Sequence, residues 1–251
     1  MDREVQQQFG AVAANYVTSA VHARGSDLPI LVTATGARGD ELALDLGTAV
    51  GHTAFALAPK VGRVIGVDLT AEMLAHARRL AAERRIANAT FVRADVTVLP
   101  FPDRAFDLVT SRYSAHHYAH PDRMAREVAR VLRPGGHFVL ADTVAPEDPA
   151  LDTFINAVEL LRDRSHVRDH TVRQWQELLA DAGLTSEVVH VWDLRLDFAD
   201  WVARMQTPPD AVAMLRSLLL DAPAAAREAF RIDATEPFSF CLKGAIIRGT
   251  R

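Results

Sequence analysis

Short apolar runs alternate with amphipathic segments along the chain from residue 41 onward. The runs are rich in β-branched residues, whereas the segments between them repeat apolar residues every three to four positions; examples are RVIGVDL and AFDLVTSR against AEMLAHARRLAAERR. Runs of the first kind predict buried strands, and segments of the second kind predict helices packed on a sheet. We therefore expect an α/β fold with a doubly wound, mostly parallel sheet.

The pattern predicts a single domain over residues 1–251 that carries helical additions. N-terminal helices are expected within 1–35, with a break at Gly25 between them. Beyond Thr143 the alternation is interrupted by two helical insertions, which we expect to cover the substrate side of the sheet; they are 146–165 and 198–231.

Two local signals refine the second half of the sheet. Pro134, Gly135 and Gly136 predict a break between the fourth helix and the strand HFVLADT that follows it. The run FSFCLKGAIIRG predicts a closing strand that contains Cys241, the single cysteine of the chain. One cysteine excludes an internal disulfide, and we expect its thiol to be packed in the core.

The charge balance narrows the classes of partner. The 251 residues carry a formal net charge of −4 and no block of Lys or Arg, which argues against nucleic acid and favours a small-molecule substrate. The first residues do not resemble a signal peptide, and no apolar stretch of about 18 residues occurs, so we expect a cytoplasmic protein without stable membrane insertion. The sequence is compatible with a homodimer.

The segment ALDLGTAVGHTAFALA, residues 43–58, carries the strongest functional signal. It is typical of a buried strand, a tight turn and a helix start, an arrangement that presents backbone N–H groups to a ligand. Its small residues Gly47, Ala49 and Gly51 fit the spacing D-x-G-x-G-x-G better than the dinucleotide pattern G-x-G-x-x-G. Because the loop contains no Lys or Arg to meet a phosphate, it favours the amino-acid end of S-adenosylmethionine over a pyrophosphate.

Carboxylates follow the ends of three successive predicted strands. Asp45 precedes the loop, Asp68 would accept hydrogen bonds from ribose hydroxyls, and Asp95 would accept one from the adenine amino group. Each of the three could instead cap a turn or a helix, a common use of Asp. Their order along the chain favours a cofactor site.

Longer motifs then carry a family resemblance. LDLGTAVGHTAFALA, VIGVD, ADVTVLPFPDRAFDLVTSR and ARVLRPGGHFVLADTVAPEDP resemble the class I S-adenosylmethionine-dependent methyltransferases of ubiquinone and menaquinone biosynthesis. SRYSAHHYAHP, LRDRSHVR and FSFCLKGAIIRG are similar to a YcgJ-like bacterial branch of that group. The resemblance spans nearly the whole chain and implies a seven-stranded sheet of order 3-2-1-4-5-7-6 in which the last-added strand is antiparallel.

The resemblance also implies how the cofactor is held. It implies that the methionine portion is surrounded by Asp45, Gly47, Thr48 and Gly51. The ribose would be held by Asp68 and Leu69, and the adenine by Asp95 and Val96. Arg112 would close the site near the sulfonium. Tyr16, on one face of the leading helix with Phe9, would close over the cofactor or only pack that helix on the sheet. Ala49 departs from the family's middle glycine, and its methyl group either keeps φ negative or displaces the loop, so we expect weaker cofactor binding.

Histidines supply the candidate base for methyl transfer. His116 and His117 follow the fourth strand, and because they are adjacent, at most one can point into the site. Either could be the base and we favour His117; the alternative is that both are packed or surface residues. His166 and Arg168 are candidate substrate contacts, with a solvated connector as the alternative, and no His or Cys set has metal-ligand spacing.

Together these signals predict S-adenosylmethionine-dependent methyl transfer to oxygen or carbon of a small, mostly apolar acceptor such as a quinone or phenol precursor. Two alternatives keep the cofactor: a protein that binds it without turnover, and an enzyme that uses it for a different reaction. An NAD-linked reductase is disfavoured by the loop spacing.

Overall fold

A computed structural model of the chain describes Ala23 and residues 25–251. The leading helix predicted before Gly25, with Phe9 and Tyr16, lies outside the described residues except for Ala23. The first half consists of α1 (Asp27–Ala34), β1 (Leu42–Leu46), α2 (His52–Leu57), β2 (Arg63–Asp68), α3 (Ala71–Glu83), β3 (Ala89–Arg93), β4 (Phe106–Arg112), α4 (Pro121–Val131) and β5 (Leu132–Val144). The second half adds α5 (Pro149–Arg162), α6 (Val172–Asp181), β6 (Thr185–Asp197), α7 (Phe198–Arg204), α8 (Pro209–Leu220), α9 (Ala224–Ala229) and β7 (Ser239–Thr250).

The strands form one seven-stranded sheet of order β3-β2-β1-β4-β5-β7-β6. Strands β1 to β5 pair in parallel, and β7 runs antiparallel to both β5 and β6. The predicted fold class and strand order are therefore confirmed. Because β1, β2, β3 and β4 are adjacent and parallel, their carboxyl ends meet at one edge of the sheet, where ligands of open α/β sheets bind.

Burial on both faces of β1 shows why the sheet is covered by helices on two sides. Leu44 and Leu46 belong to an apolar cluster that includes α4 and α6, and Ala43 belongs to the cluster of α2 and α3. All three side chains are fully buried. Alternation along the strand thus sends apolar side chains to both faces, and each face needs a helical layer.

The helices α5 and α7 to α9 share a third apolar cluster with parts of β6 and β7. Phe198, Trp201 and Phe240 lie in it, and the ring of Trp201 meets the ring of Phe240 edge-on at 4.9 Å between centroids. In contrast, Met214 of α8 is exposed. These helices thus have a core of their own beside the sheet. Within the described ranges, no helix combines the length and the apolar character needed to cross a membrane.

The segment 133–136 differs from the prediction of a break before β5. Helix α4 ends at Val131, but β5 begins at Leu132, which pairs with Phe106. The register then shifts, and Leu108 pairs with His137. The strand thus starts at the buried Leu132, and residues 133–136 bulge out of it. Gly135, with φ of +79°, permits this bulge.

Candidate active site

A cavity of about 500 Å³ lies at the carboxyl ends of β1 to β4. Its volume is in the range of small-molecule sites. The sequence-predicted residues that line it are Gly47, Thr48, Asp68, Leu69, Asp95, Val96, Arg112 and His117. Asp45, Gly51, His116, His166 and Arg168 are not part of its lining. The structure therefore brings most of the predicted cofactor residues together, and of the two histidines it places only His117 at the cavity.

In the loop between β1 and α2, every second residue has a left-handed backbone conformation. The φ angles of Gly47, Ala49 and Gly51 are +60°, +46° and +93°. Of the two effects expected from the Ala49 methyl group, a negative φ is therefore wrong, because this alanine adopts the glycine-like conformation. Gly51 caps α2, and a Cβ there would lie 2.8 Å from the ring of Phe55, which explains the glycine without contact to the cavity.

Position 47 lies so close to hydroxyl groups that only glycine fits there. A Cβ at this position would lie 2.6 Å from Ser114 Oγ and 2.8 Å from the Tyr118 hydroxyl. Ser111, Ser114 and Tyr118 hydrogen bond to one another at 2.9 to 3.3 Å. The start of the loop therefore packs on a hydroxyl cluster, of which Ser114 and Tyr118 also line the cavity.

Asp45 is buried in β1, just before the loop, and bonds to the neighbouring strand β4. Its side chain is 1% exposed, and its Oδ1 accepts a hydrogen bond of 2.8 Å from Thr110 Oγ1. The other oxygen is buried without a hydrogen-bond partner among the described residues. Burial raises the pKa of Asp45 to about 6, so this carboxyl group is easier to protonate than an exposed one.

Asp68 and Asp95 line the cavity and also make the local bonds that the capping alternative predicts. Asp68 accepts the amide N–H of Ala49 at 2.9 Å and of Thr70 at 2.8 Å. Asp95 accepts both the amide and the hydroxyl of Thr97, at 2.8 and 2.7 Å. Each carboxylate retains acceptor capacity beyond these bonds, so capping and ligand binding are compatible.

Arg112 forms an ion pair with a carboxylate that sequence reasoning missed. Its Nε and Nη2 donate to the two oxygens of Asp27 at 2.5 and 3.0 Å, and both side chains are 2% exposed. Asp27 lies at the start of α1, where no motif marks it. Arg112 still lines the cavity, but its charge is balanced there.

The 3₁₀ turn Ala115–His117 places His117 at the cavity and turns His116 away from it. His117 Nδ1 donates to the Ser165 carbonyl oxygen at 3.0 Å, since a carbonyl can only accept. In the neutral ring the lone pair is therefore on Nε2. Burial and, to a lesser extent, the charge of the neighbouring His116 lower the pKa of His117 to about 4.

His116 has the opposite electrostatic environment. Its Nδ1 lies 2.7 Å from Oδ1 of Asp142, which lies within the buried second half of β5. Burial alone would lower the pKa of His116, but the Asp142 carboxylate raises it to about 9. Sequence reasoning missed Asp142, although the signal that singles out Asp45 and Asp68, an acid after an apolar strand, is present in the segment VLAD.

The segment 163–168 docks on the histidine turn instead of lining the cavity. The amides of Val167 and Arg168 both donate to the His116 carbonyl oxygen, at 2.9 and 3.0 Å. His166 is buried and bonds to Asn156 Oδ1 at 3.1 Å, while the Arg168 guanidinium pairs with Asp152. His166 and Arg168, the candidate substrate contacts, thus lie outside the cavity lining and make contacts to α5.

Burial, with the neighbouring cationic side chains, lowers the pKa of His166 far below its usual value. Among the described residues, no group of three or more His, Cys, Asp or Glu side chains could hold a metal ion. The rings of His116, His117 and His166 each hydrogen bond to a different partner: Asp142, the Ser165 carbonyl oxygen and Asn156.

Comparisons with known proteins agree with this geometry. The family described as a methyltransferase domain matches residues 44–140, from β1 into β5. The uncharacterized methyltransferase YcgJ of Bacillus subtilis is 39% identical over 246 residues, 97% of each chain. Its crystal structure has a TM-score of 0.88 at 38% identity, with 90% of this chain and 97% of that chain covered. The ubiquinone/menaquinone biosynthesis C-methyltransferase UbiE of Bdellovibrio bacteriovorus is 33% identical over 146 residues, 55% of this chain and 61% of its own length.

Proposed function

The chain belongs to the class I S-adenosylmethionine-dependent methyltransferases, and from this premise we propose that it methylates an oxygen or a carbon of a small, mostly apolar acceptor. S-adenosylmethionine is the cofactor of this family and supplies the methyl group. The likeness to a quinone-biosynthesis C-methyltransferase makes a quinol ring the first acceptor class to test.

The cofactor is proposed to follow the strand order across the cavity. Gly47 and Thr48 would meet its methionine portion, Asp68 and Leu69 its ribose, and the end of β3 its adenine. This placement is supported by the lining of one cavity by residues of three adjacent parallel strands. Asp45 and Gly51 would act on the cofactor only through the loop that they support.

The acceptor is proposed to lie on the β4 side of the same cavity. Tyr113, Tyr118 and Ala119 line this side, and the charge of Arg112 is balanced by Asp27. An aromatic wall without net charge suits an apolar ring better than an anionic substrate. The cofactor's transferable group and the acceptor would then meet between the β1 loop and the histidine turn.

The observation that carries the proposal is the position of His117. Methyl transfer from a sulfonium is an in-line displacement, and the enzyme's main contribution is to align the two partners in a site with little water. A phenolic or quinol acceptor must also lose a proton. His117 Nε2 would take that proton, and its low pKa keeps the ring unprotonated at neutral pH.

The test is turnover with S-adenosylmethionine and a 1,4-naphthoquinol that has an unsubstituted ring position. We expect S-adenosylhomocysteine and a methylated product by mass spectrometry, with the methylated atom identified by NMR. His117→Gln should lower kcat by roughly 10²–10⁴-fold, the usual contribution of a general base. The matched control is His76→Gln, a change on the exposed face of α3, which should leave kcat unchanged.

Two results would contradict the proposal. Full turnover in His117→Gln would show that His117 is not the base. Binding of S-adenosylhomocysteine without turnover of phenolic, quinol or other apolar acceptors would favour a protein that binds the cofactor without transferring its methyl group.

A further inference from the structure

The His116 ring is placed between a carboxylate and the proposed base. Its centroid lies 4.1 Å from that of His117, and its Nδ1 lies 2.7 Å from Asp142 Oδ1. His116 does not line the cavity, so methyl transfer as proposed gives it no direct contact with a reactant. Its position calls for a different explanation.

Asp142 is built to stay ionised. The carboxylate is 1% exposed and accepts the amide N–H groups of Ala115, His116 and Thr143 at 2.8, 3.2 and 2.9 Å. Hydrogen bonds from amides stabilise the charged form of a carboxylate. Burial opposes ionisation, yet the charge of His116 keeps the pKa of Asp142 below its usual value. His116 therefore faces a permanent anion.

The other charged groups around the pair come from α5 and the segment after it. Asp169 and Glu159 raise the pKa of His116, as Asp142 does, whereas Asp163 and, more weakly, Asp142 itself raise the pKa of His117. Asp169 accepts a hydrogen bond of 2.6 Å from Thr143 Oγ1, and burial raises its pKa to about 7.

The His166 ring is a further neighbour, with its centroid 5.8 Å from that of the His116 ring. His166 in turn faces Arg162 and Arg168. Asp142 is thus the carboxylate in direct contact with His116, and His116 is the cationic ring nearest to His117.

We infer that Asp142 and His116 are positioning residues for methyl transfer: Asp142 holds His116 as a cation against His117, and this contact keeps His117 a neutral base. The inference rests on the proposed function of His117 and deepens it. Like charges at this separation disfavour each other, so a proton on His116 hinders a second proton on His117. A pair that served only to hold the turn would affect stability and leave the titration of His117 unchanged.

The experiment is an NMR titration of the histidine rings in the full chain with S-adenosylhomocysteine bound. The His117 signal is assigned from its loss in His117→Gln. In His116→Gln the cation is removed while Asp142 stays in place, and we expect the His117 midpoint to rise by about one pH unit. In Asp142→Asn, His116 loses its counterion, but the weaker direct attraction of Asp142 for a proton on His117 is lost as well, so the midpoint should rise by a smaller amount. The control is Asp103→Asn, on the exposed surface beside Arg130, which should leave the midpoint in place.

The pH profile of kcat/KM gives an independent readout. Because His117 must be unprotonated to act, the acid limb should follow its pKa and move to higher pH in both variants. An unchanged His117 midpoint in both variants would overturn this inference alone, provided that His117→Gln is inactive. Full turnover in His117→Gln would instead overturn the base assignment, and with it the catalytic meaning of the pair.

Discussion

At the residue scale, Ala49 shows how a departure from the family's glycine is accommodated. An L-residue in the left-handed region costs about 1–2 kcal/mol, so an alanine at φ +46° needs support from its surroundings. That support comes from its amide, which donates to Asp68, and from its methyl group, which packs beside the apolar cluster of α2 and α3. The methyl group therefore stabilises packing while the backbone is strained.

Ala49→Gly should release that strain. We expect the free energy of unfolding without cofactor to rise by up to about 1 kcal/mol, because the greater freedom of glycine in the unfolded chain offsets part of the gain. S-adenosylhomocysteine should also bind more tightly by calorimetric titration. Ala56→Gly, within α2, is the control and should lower stability by about 1 kcal/mol. Unchanged or weaker binding in Ala49→Gly would contradict the expected effect of the methyl group.

At the element scale, the strands decide what could be predicted from the sequence. The sequence points to Asp68, Asp95 and His117 because alternating apolar runs show where parallel strands end, and those ends share one edge. The contacts of His166 and Arg168 could not be read in this way, since they depend on how the segment after α5 folds back on the histidine turn.

The loop between β1 and α2 combines a special conformation with a close contact. Gly47 has φ of +60° and approaches Ser114, while Gly66 of β2 leaves room for Thr48, whose Oγ1 would lie 2.7 Å from a Cβ there. The spacing of small residues predicts the first property, but not the second, because the neighbours of Gly47 come from the turn after β4.

Gly47→Ala tests the contact separately from the conformation. The new Cβ would lie 2.6 Å from Ser114, so we expect the loop to shift and S-adenosylhomocysteine binding to fall at least about tenfold, or roughly 1.4 kcal/mol. Gly183→Ala is matched in φ, at +83°, but has open space around its Cβ, so it should cost only about 1–2 kcal/mol of stability. Equal cofactor affinity in the two variants would show that the contact at Gly47 does not matter.

At the scale of the whole molecule, the Asp27–Arg112 pair joins the first described helix to the centre of the sheet. Arg112 ends β4 and lines the cavity, and Asp27 begins α1, which also packs on β5 through Leu31. The sequence shows Arg112 as a strand-end residue, but its partner is 85 positions away and carries no pattern. Such long-range pairs are fixed by tertiary packing and are therefore invisible to periodicity.

Asp27→Ala should destabilise the protein more than the loss of a surface ion pair. The change leaves the Arg112 guanidinium, 2% exposed, without the carboxylate it faces, and breaking a buried pair in this way costs about 3–5 kcal/mol. Asp103→Ala, which removes an exposed partner of Arg130, should cost at most about 1 kcal/mol in urea unfolding. In Asp27→Leu combined with Arg112→Met, apolar packing replaces both charges, so stability should return. Cofactor affinity should fall in this double variant if Arg112 shapes the cavity. A loss below about 1 kcal/mol in Asp27→Ala would mean that water reaches the guanidinium and that α1 is held by its apolar contacts alone.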